Sequence, residues 1–133
     1  MKDKILELRA AGYTYDQIKE AVGCSKGTIA YHCSSEQKDK TLDRSRQRQN
    51  LLRREIERIK TEAVCMDCEI DYPHFMLDFD HREGVDKITN VSNVSLFSSL
   101  QKMLDEIAKC DIVCANCHRL RTWLRKTKWA AKE

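Results

Sequence analysis

Two close pairs of cysteines constrain this chain more than any other feature of its sequence. The segments CMDC and CANC contain Cys65 and Cys68, and then Cys114 and Cys117. Four thiolates in two such pairs suit a tetrahedral Zn²⁺ ion. Residues 69–113 separate the pairs, and this gap of about 45 residues exceeds the roughly 15–20 of a simple zinc ribbon. The spacing therefore predicts a structural zinc site with a segment inserted between its two halves.

The composition indicates that the hydrophobic core needs this support. The chain has 133 residues, of which 34% are charged and only 7% are aromatic, and small modules usually compensate for a small core with a metal or disulfides. No apolar run approaches the ~20 residues of a membrane span, and the charged N-terminus is not a signal peptide. We therefore expect a cytoplasmic protein without membrane association, whose cysteines are reduced. The net charge of +3 identifies no partner.

Residues 1–34 are predicted to form three short helices. Thr14 is followed three residues later by Gln17, which is a capping-box pattern at the start of the second helix. Gly23 ends that helix, and Ser25 is a favourable N-cap for the next one. Two helices joined by such a tight turn form a helix-turn-helix arrangement.

The apolar residues Ile18, Val22 and Ile29 fall where a helix-turn-helix packs its inner face. The segment resembles the helix-turn-helix of resolvases and small transcription regulators, although Lys19 stands where that motif prefers a small residue. The resemblance implies that the third helix enters the major groove of double-stranded DNA. A helical bundle that contacts protein is the alternative. The side chains expected to contact DNA are Lys26, Thr28, Tyr31 and His32.

Residues 35–62 are predicted to form a basic helical linker. Its first residues, up to position 40, are polar and expected to be flexible, whereas Leu52, Ile56 and Ile59 recur at helical spacing. Arginines are dense along the segment, and contact of several of them with phosphate is the expected role. Arg53 and Arg54 are candidates. A solvated helix face, partly neutralised by nearby glutamates, is the alternative.

Residues 63–133 are predicted to form a small module around the cysteines. The stretch HFMLDFDH, residues 74–81, alternates apolar and other residues and predicts a strand that ends in Asp80-His81. DIVC, residues 111–114, predicts a second strand after a long loop. A helix should follow from residue 115, with Leu120, Trp123 and Leu124 on its packing side.

His118 lies one residue beyond Cys117, near the start of this last helix. An aspartate and histidine at a strand end and a second histidine at a helix start can converge on one metal ion. A carboxylate and an imidazole leave several positions on such an ion open for water and phosphate oxygens. A neutral imidazole, with a reference pKa of about 6.5, also suits activation of water at neutral pH.

The segments LDFDHREG and CDIVCANCHRLRTW resemble the four-cysteine zinc type of HNH endonuclease, whose ββα-metal module occurs in phage, homing, restriction and RNA-guided nucleases. The resemblance covers roughly residues 63–125. It implies a mainly α fold with a small ββα-metal module, and hydrolysis of DNA phosphodiester bonds with one divalent ion. By this match His81 is the general base, and Asp80 and His118 bind the catalytic Mg²⁺ or Mn²⁺.

The middle asparagine of the HNH family has no match at its usual position, a few residues before the second cysteine pair. Asn93 and Asn116 are the candidates for this role, and Asn90 is a further substitute. In the family this residue mainly braces the loop. Its displacement therefore concerns the loop geometry more than the reaction.

A basic cluster lies on or just after the helix that bears His118, and its expected role is to hold the phosphate backbone across the metal ion. Two alternatives remain open: a zinc-containing DNA-binding regulator without catalysis, and a nuclease that acts on RNA or branched DNA. Monomer and homodimer are also both open, as are nicking and double-strand cleavage. The candidate phosphate contacts are Arg119, Arg121 and Arg125.

Overall fold

A computed structural model describes residues 1–130, so the last three residues of the predicted module 63–133 lie outside the described part of the chain. The chain divides into two compact units, Met1–Gln47 and Arg48–Glu133. Most of the described residues are helical, and two short strands form one small sheet. The described residues include no helix with the length and hydrophobicity needed to cross a bilayer.

Three short helices begin the first unit, as predicted: α1 (Lys2–Ala10), α2 (Tyr15–Val22) and α3 (Lys26–Cys33). The capping box at the start of α2 is formed. The Thr14 hydroxyl accepts the backbone N–H of Gln17, and the Gln17 side chain accepts the backbone N–H of Thr14. These reciprocal bonds satisfy backbone donors that the first turn of a helix leaves unpaired.

One isoleucine from each helix forms the core of the first unit. Ile5, Ile18 and Ile29 are fully buried. Gly23 ends α2 in the left-handed region, with a φ of 71°, where glycine is favoured. Ser25 caps α3 by accepting a backbone N–H three residues later. The role of these helices in DNA binding stays a prediction.

The fourth helix, α4 (Ser35–Thr61), begins earlier than expected. The first residues of this segment are helical, so the prediction that they are flexible was wrong. Ser34 accepts the backbone N–H of Gln37 at 3.4 Å, and Lys40 pairs with Glu36 one turn away at 2.6 Å. An N-cap and an i,i+4 ion pair stabilise a helix start without any apolar residue.

The second unit contains the predicted pair of strands, β1 (Leu77–His81) and β2 (Cys110–Cys114). They are antiparallel, with Leu77 opposite Cys114 and His81 opposite Cys110. Residues 74–76, expected to begin the first strand, form a short 3-10 turn instead.

The segment between the strands is not only a loop, which corrects the prediction. It contains a helix, α5 (Leu100–Ile107), capped by the Ser99 hydroxyl, which accepts the backbone N–H of Lys102 at 3.3 Å. Met103 and Glu106 of this helix are buried. The spacing of its apolar residues is helical, and together with the serine cap this was the available signal.

The last helix, α6 (Ala115–Ala130), is present, but the predicted packing face was wrong. Leu120, Trp123 and Leu124 are 56%, 64% and 49% exposed. The more buried face carries charged and metal-ligand side chains, because carboxylates on and before the strands pair with its arginines. The residues on this face are Cys117, His118, Arg121 and Arg125.

Two small clusters form the core of the second unit. One cluster contains Leu52 of α4 with apolar residues of the inserted segment and Met103 of α5. The other consists of Cys65, Leu77, Val113 and Cys114. Since two of these four side chains are cysteines, the second cluster has little apolar surface of its own.

Candidate functional site

The four predicted cysteines meet at one point. Their sulfur atoms lie within 4.8 Å of one another, and among the described residues this is the one group of three or more histidine, cysteine or acidic side chains that is so close. Four Zn–S bonds of ~2.3 Å in a tetrahedron put the sulfurs roughly 3.8 Å apart. The cluster of Cys65, Cys68, Cys114 and Cys117 can therefore hold a structural zinc ion.

Backbone N–H groups prepare the cluster for a cation. The N–H of Cys114 donates to Cys65 Sγ at 3.2 Å, and that of Cys117 donates to Cys114 Sγ at 3.4 Å. Burial raises the pKa of Cys65, but N–H groups of Cys68, Cys114 and Asp67 outweigh burial and lower it to about 6. The thiolate, which these contacts favour, is the form that binds zinc.

We predict that Cys117→Ser abolishes tight zinc binding and unfolds the second unit. Structural zinc contributes about 10–16 kcal/mol in small zinc modules, more than so small a core can replace. Zinc per chain is measured by mass spectrometry after dialysis, and folding is measured by circular dichroism. Cys24→Ser, in the first unit, is the matched control and should keep its zinc. A wild-type protein with less than one tightly bound zinc per chain would contradict the assignment.

The cluster positions the start of α6, and His118 there lies between two carboxylates. Its Nδ1 is 3.0 Å from Asp78 Oδ2, and its Nε2 is 3.5 Å from Asp80 Oδ1. Asp78 and Asp80 share one face of β1, because side chains alternate along a strand. The structure thus brings the predicted Asp80 and His118 together. Asp78 was missed, although its position two residues before Asp80 was the signal.

Asp80 and His118 offer one carboxylate oxygen and one imidazole nitrogen as possible ligands of a metal ion. Donation of the Nδ1 proton of His118 to Asp78 leaves the Nε2 lone pair on the side of Asp80. Adjacent ligands of an octahedral Mg²⁺ lie roughly 3 Å apart, close to the 3.5 Å between His118 Nε2 and Asp80 Oδ1. These two atoms are thus close enough to bind one cation, with Asp78 orienting the imidazole, and a catalytic Mg²⁺ or Mn²⁺ ion there stays a prediction.

Asp80 is also held by two arginines. It is 4% exposed, and both its oxygens accept hydrogen bonds from Arg125 at 2.8 Å, while Arg121 donates to Oδ2 at 3.1 Å. Burial raises the pKa of Asp80, but the hydrogen bonds from Arg125 and Arg121 outweigh burial and hold it below its usual value. Asp80 is thus an anion whose charge is already balanced, and an ion there would compete with Arg125.

The predicted phosphate contacts on α6 differ in their surroundings. Arg121 donates to both oxygens of Asp67 at 2.6 Å and to Asp111 at 2.8 Å. Arg125 additionally lies 3.6 Å from Glu83. Both guanidinium groups would have to leave carboxylates to hold substrate. Arg119, by contrast, is exposed.

His81 lies on the opposite face of β1 from the Asp80 side chain. Its Nε2 is 2.7 Å from Glu106 Oε1, and its side chain is 11% exposed. Glu106 also accepts the backbone N–H of Ile88 at 3.0 Å and pairs with Lys109 at 2.8 Å. This buried carboxylate therefore connects the end of β1, the segment after it and the end of α5. It was missed because α5 was missed.

We predict that Glu106→Gln destabilises the second unit at neutral pH by roughly 3 kcal/mol. Burial raises the pKa of Glu106, but Lys109, His81 and the Ile88 N–H outweigh burial and lower it from 4.5 to about 2. A depressed carboxyl pKa contributes stability above pH 4.5, and this contribution is lost as the pH falls toward 2.

Urea unfolding of both proteins at several pH values tests this prediction. The difference in free energy of unfolding between wild type and variant should shrink below pH 4.5, whereas zinc loss at acid pH affects both proteins alike. Asp105→Asn removes a charge from the exposed neighbouring position and should have little effect. A pH-independent difference would contradict the role of the Glu106 charge.

The candidate asparagines lie at three different places. Asn93 is exposed, and its Oδ1 accepts the Ser95 hydroxyl at 2.8 Å, at the start of a short 3-10 turn. Asn116 is exposed in the first turn of α6. Asn90 is the candidate that lines a cavity beside His118.

The candidate DNA contacts outside this module are mostly at the surface. Lys26 is exposed and pairs with Asp16 at 2.6 Å, whereas Thr28, Tyr31 and His32 are half-buried. In α4, Arg53 and Arg54 are exposed, and Arg53 donates to the side chains of neighbouring polar residues at 3.3 Å. These placements leave the DNA-binding role a prediction.

The cavity beside His118 has a volume of about 260 Å³. It contains Lys60, which sequence reasoning had not singled out. The Lys60 ammonium lies 5.0 Å from the centroid of the Phe79 ring. Burial lowers the pKa of Lys60, and the nearby charge of Asp78 only partly offsets this effect.

No protein-family model, curated protein sequence or solved structure matches this chain. The resemblance to HNH endonucleases therefore rests on the motifs and their geometry. The coarser features are present: four cysteines that can bind zinc, and a small two-stranded sheet accompanied by helices.

Proposed function

We propose that this protein is a divalent-metal-dependent nuclease that hydrolyses phosphodiester bonds in double-stranded DNA, as the HNH resemblance implies. The observation that carries the proposal is the position of His118 between Asp78 and Asp80. This triad lies where α6 leaves the cysteine cluster. Zinc bound to the four cysteines would fix the backbone at this point. A site of this kind is held in place by the fold before substrate arrives.

In the proposed reaction, Asp80 Oδ1 and His118 Nε2 would hold the Mg²⁺ or Mn²⁺ ion, and Asp78 would keep the His118 ring in the required tautomer. When bound, the ion would supply positive charge to the phosphate oxygens and polarise a water molecule. The Arg125 guanidinium, which donates to both oxygens of Asp80, would repel such an ion, so ion binding favours release of the hydrogen bond to Oδ1.

His81 is assigned as the general base. Glu106 accepts the Nε2 proton of His81, which leaves Nδ1 to take a proton from the attacking water. The oxygen of that water bonds to phosphorus, and the bond from phosphorus to the leaving oxygen breaks. The leaving oxygen receives a proton from a solvent water molecule, and His81 returns its proton to solvent. The assignment requires the Nδ1 edge of His81 to face the water, since Glu106 covers the other edge.

A zinc-containing DNA-binding regulator without catalysis is the second candidate. The specific observation in its favour is that Arg125 and Arg121 already neutralise Asp80. In such a protein the same network would only attach α6 to the sheet. A nuclease for RNA or branched DNA is a third candidate, because phosphate contacts position a protein without reading the sequence.

We predict that the wild-type protein nicks or cuts supercoiled plasmid only when Mg²⁺ or Mn²⁺ is added. His81→Ala should reduce the rate by ~10²–10⁴-fold, as loss of a positioned base does. His118→Ala should instead raise the ion concentration needed for half-maximal rate, with partial rescue by Mn²⁺. Titrating each ion against each variant separates these two effects.

The exposed Asp105→Asn is the matched control and should cleave as the wild type does. Circular dichroism and zinc content must be unchanged in every variant that is compared. Absence of metal-dependent cleavage in the wild type, on plasmid and on RNA, would favour the regulator.

We predict that the double variant Lys26→Ala, Tyr31→Ala changes where a long duplex is cut while the total rate changes little. Side chains that read base edges each contribute ~1–3 kcal/mol of discrimination, whereas phosphate contacts supply affinity that falls with salt. Cleavage maps of one duplex at equal salt provide the measurement. Lys4→Ala, on α1, is the control. Identical maps for the double variant and wild type would favour a protein-contact role for the first unit.

A further inference from the structure

The cavity beside His118 has two chemically different walls. Three apolar side chains form one wall, and the rest of the lining is polar or charged. Such a cavity suits a ligand with an anionic group attached to a less polar one. Its apolar residues are Ile56, Phe79 and Val91, and its polar residues are Lys60, Asp78, Asn90, Ser92 and His118.

Lys60 differs from the other cations near this site. Arg121 and Arg125 pair with carboxylates, and Arg58, two residues before Lys60 on α4, pairs with two glutamates. Within the part of the chain that the structure describes, Lys60 has no such ion pair, and its ammonium lies over the Phe79 ring. A half-buried ammonium has lost part of its hydration. Because no ion pair compensates for this loss, the ammonium attracts an anion strongly.

The carboxylate in the cavity does not cancel this attraction. Asp78 is directed at His118, with 3.0 Å between Oδ2 and Nδ1. The exposed side chains of Asn90 and Ser92 add hydrogen-bond donors of the kind that phosphate oxygens accept. The anion would therefore lie between Lys60 and the imidazole of His118.

We propose that this cavity binds one phosphodiester group of a nucleic-acid backbone, with the Lys60 ammonium on a non-bridging phosphate oxygen and the attached sugar against Phe79 and Val91. The proposal rests on the proposed nuclease function and adds a catalytic residue to it. Lys60 then opposes the Asp80–His118 pair across the scissile phosphate. The Lys60 ammonium on one side, and an ion that Asp80 and His118 would hold on the other, would stabilise the negative charge that develops on the phosphate oxygens.

The first test measures binding without any added Mg²⁺ or Mn²⁺, on zinc-loaded, ¹⁵N-labelled full-length protein. The probe is a thymidine dinucleotide with one phosphodiester, compared with its uncharged methylphosphonate analogue and with inorganic phosphate. We expect the dinucleotide to shift the amide signals of Asn90, Ser92 and His118. Lys60→Met, which removes the ammonium and keeps an unbranched side chain, should weaken this binding about tenfold.

Lys102→Met makes the same change at an exposed lysine of α5 outside this cavity, and it should bind as the wild type does. The methylphosphonate should bind the wild type and Lys60→Met equally weakly, because it lacks the negative charge with which the Lys60 ammonium interacts. Equal affinity of Lys60→Met and wild type for the dinucleotide overturns the proposal. Equal affinity of the wild type for dinucleotide and inorganic phosphate also overturns it, since the cavity would then be a site for a free anion.

The second test is plasmid cleavage, in which Lys60→Met should lower kcat and Lys60→Arg should restore part of it. If the wild type cleaves DNA and Lys60→Met has an unchanged kcat/KM, the role of Lys60 is wrong and the nuclease stands. If the wild type cleaves nothing but the dinucleotide results are as expected, the backbone-binding cavity stands and the nuclease is wrong. Circular dichroism and zinc content confirm that the variants are folded.

Discussion

The cysteine cluster is the interaction on which the second unit depends. Two short strands bury too little surface to be stable alone, and the core at their end consists of Leu77, Val113 and two cysteines. Zinc at this point would join the turn after α4 to the junction of β2 and α6. The same joint fixes the first turn of α6 and therefore the backbone of His118. Zinc binding would therefore contribute both to the stability of the second unit and to the position of His118.

Because side chains alternate along β1, the candidate catalytic residues lie in two groups on opposite faces of the strand. Asp78 and Asp80 face His118 and the arginines of α6, whereas His81 faces Glu106 at the end of α5. The ion-binding pair and the candidate base are therefore positioned by different neighbours. The cysteine cluster controls the first, and a buried carboxylate with three partners controls the second.

Local signals in the sequence predicted local structure well. The capping box of Thr14, the cap at Ser25 and the alternation before His81 all led to elements that are present. The packing face of α6 was predicted wrongly, because helical spacing of Leu120 and Trp123 shows amphipathicity but not which face meets the sheet. The face of α6 that meets the sheet is determined by carboxylates distant in sequence. The position of His81 likewise depends on Glu106, which is distant in sequence. Tertiary ion pairs of this kind leave no periodic signal.

Asp80 decides between the two leading functions, because it has only two oxygens. Arg125 occupies both of them in a bidentate contact, and Arg121 shares one. A regulator requires only that this network persist, so its arginines stabilise α6 and divalent ions bind weakly. A nuclease favours opening of this network, because a divalent cation on Asp80 Oδ1 would be repelled by the Arg125 guanidinium that donates to the same oxygen. The affinity of the divalent ion for Asp80 and His118 is then reduced by the free energy needed to displace Arg125 from Asp80. An Arg125 guanidinium that is displaced from Asp80 can pair with the phosphate of the substrate, as well as with Glu83. Binding of ion and substrate would thus favour each other in a nuclease, whereas a regulator has no such coupling.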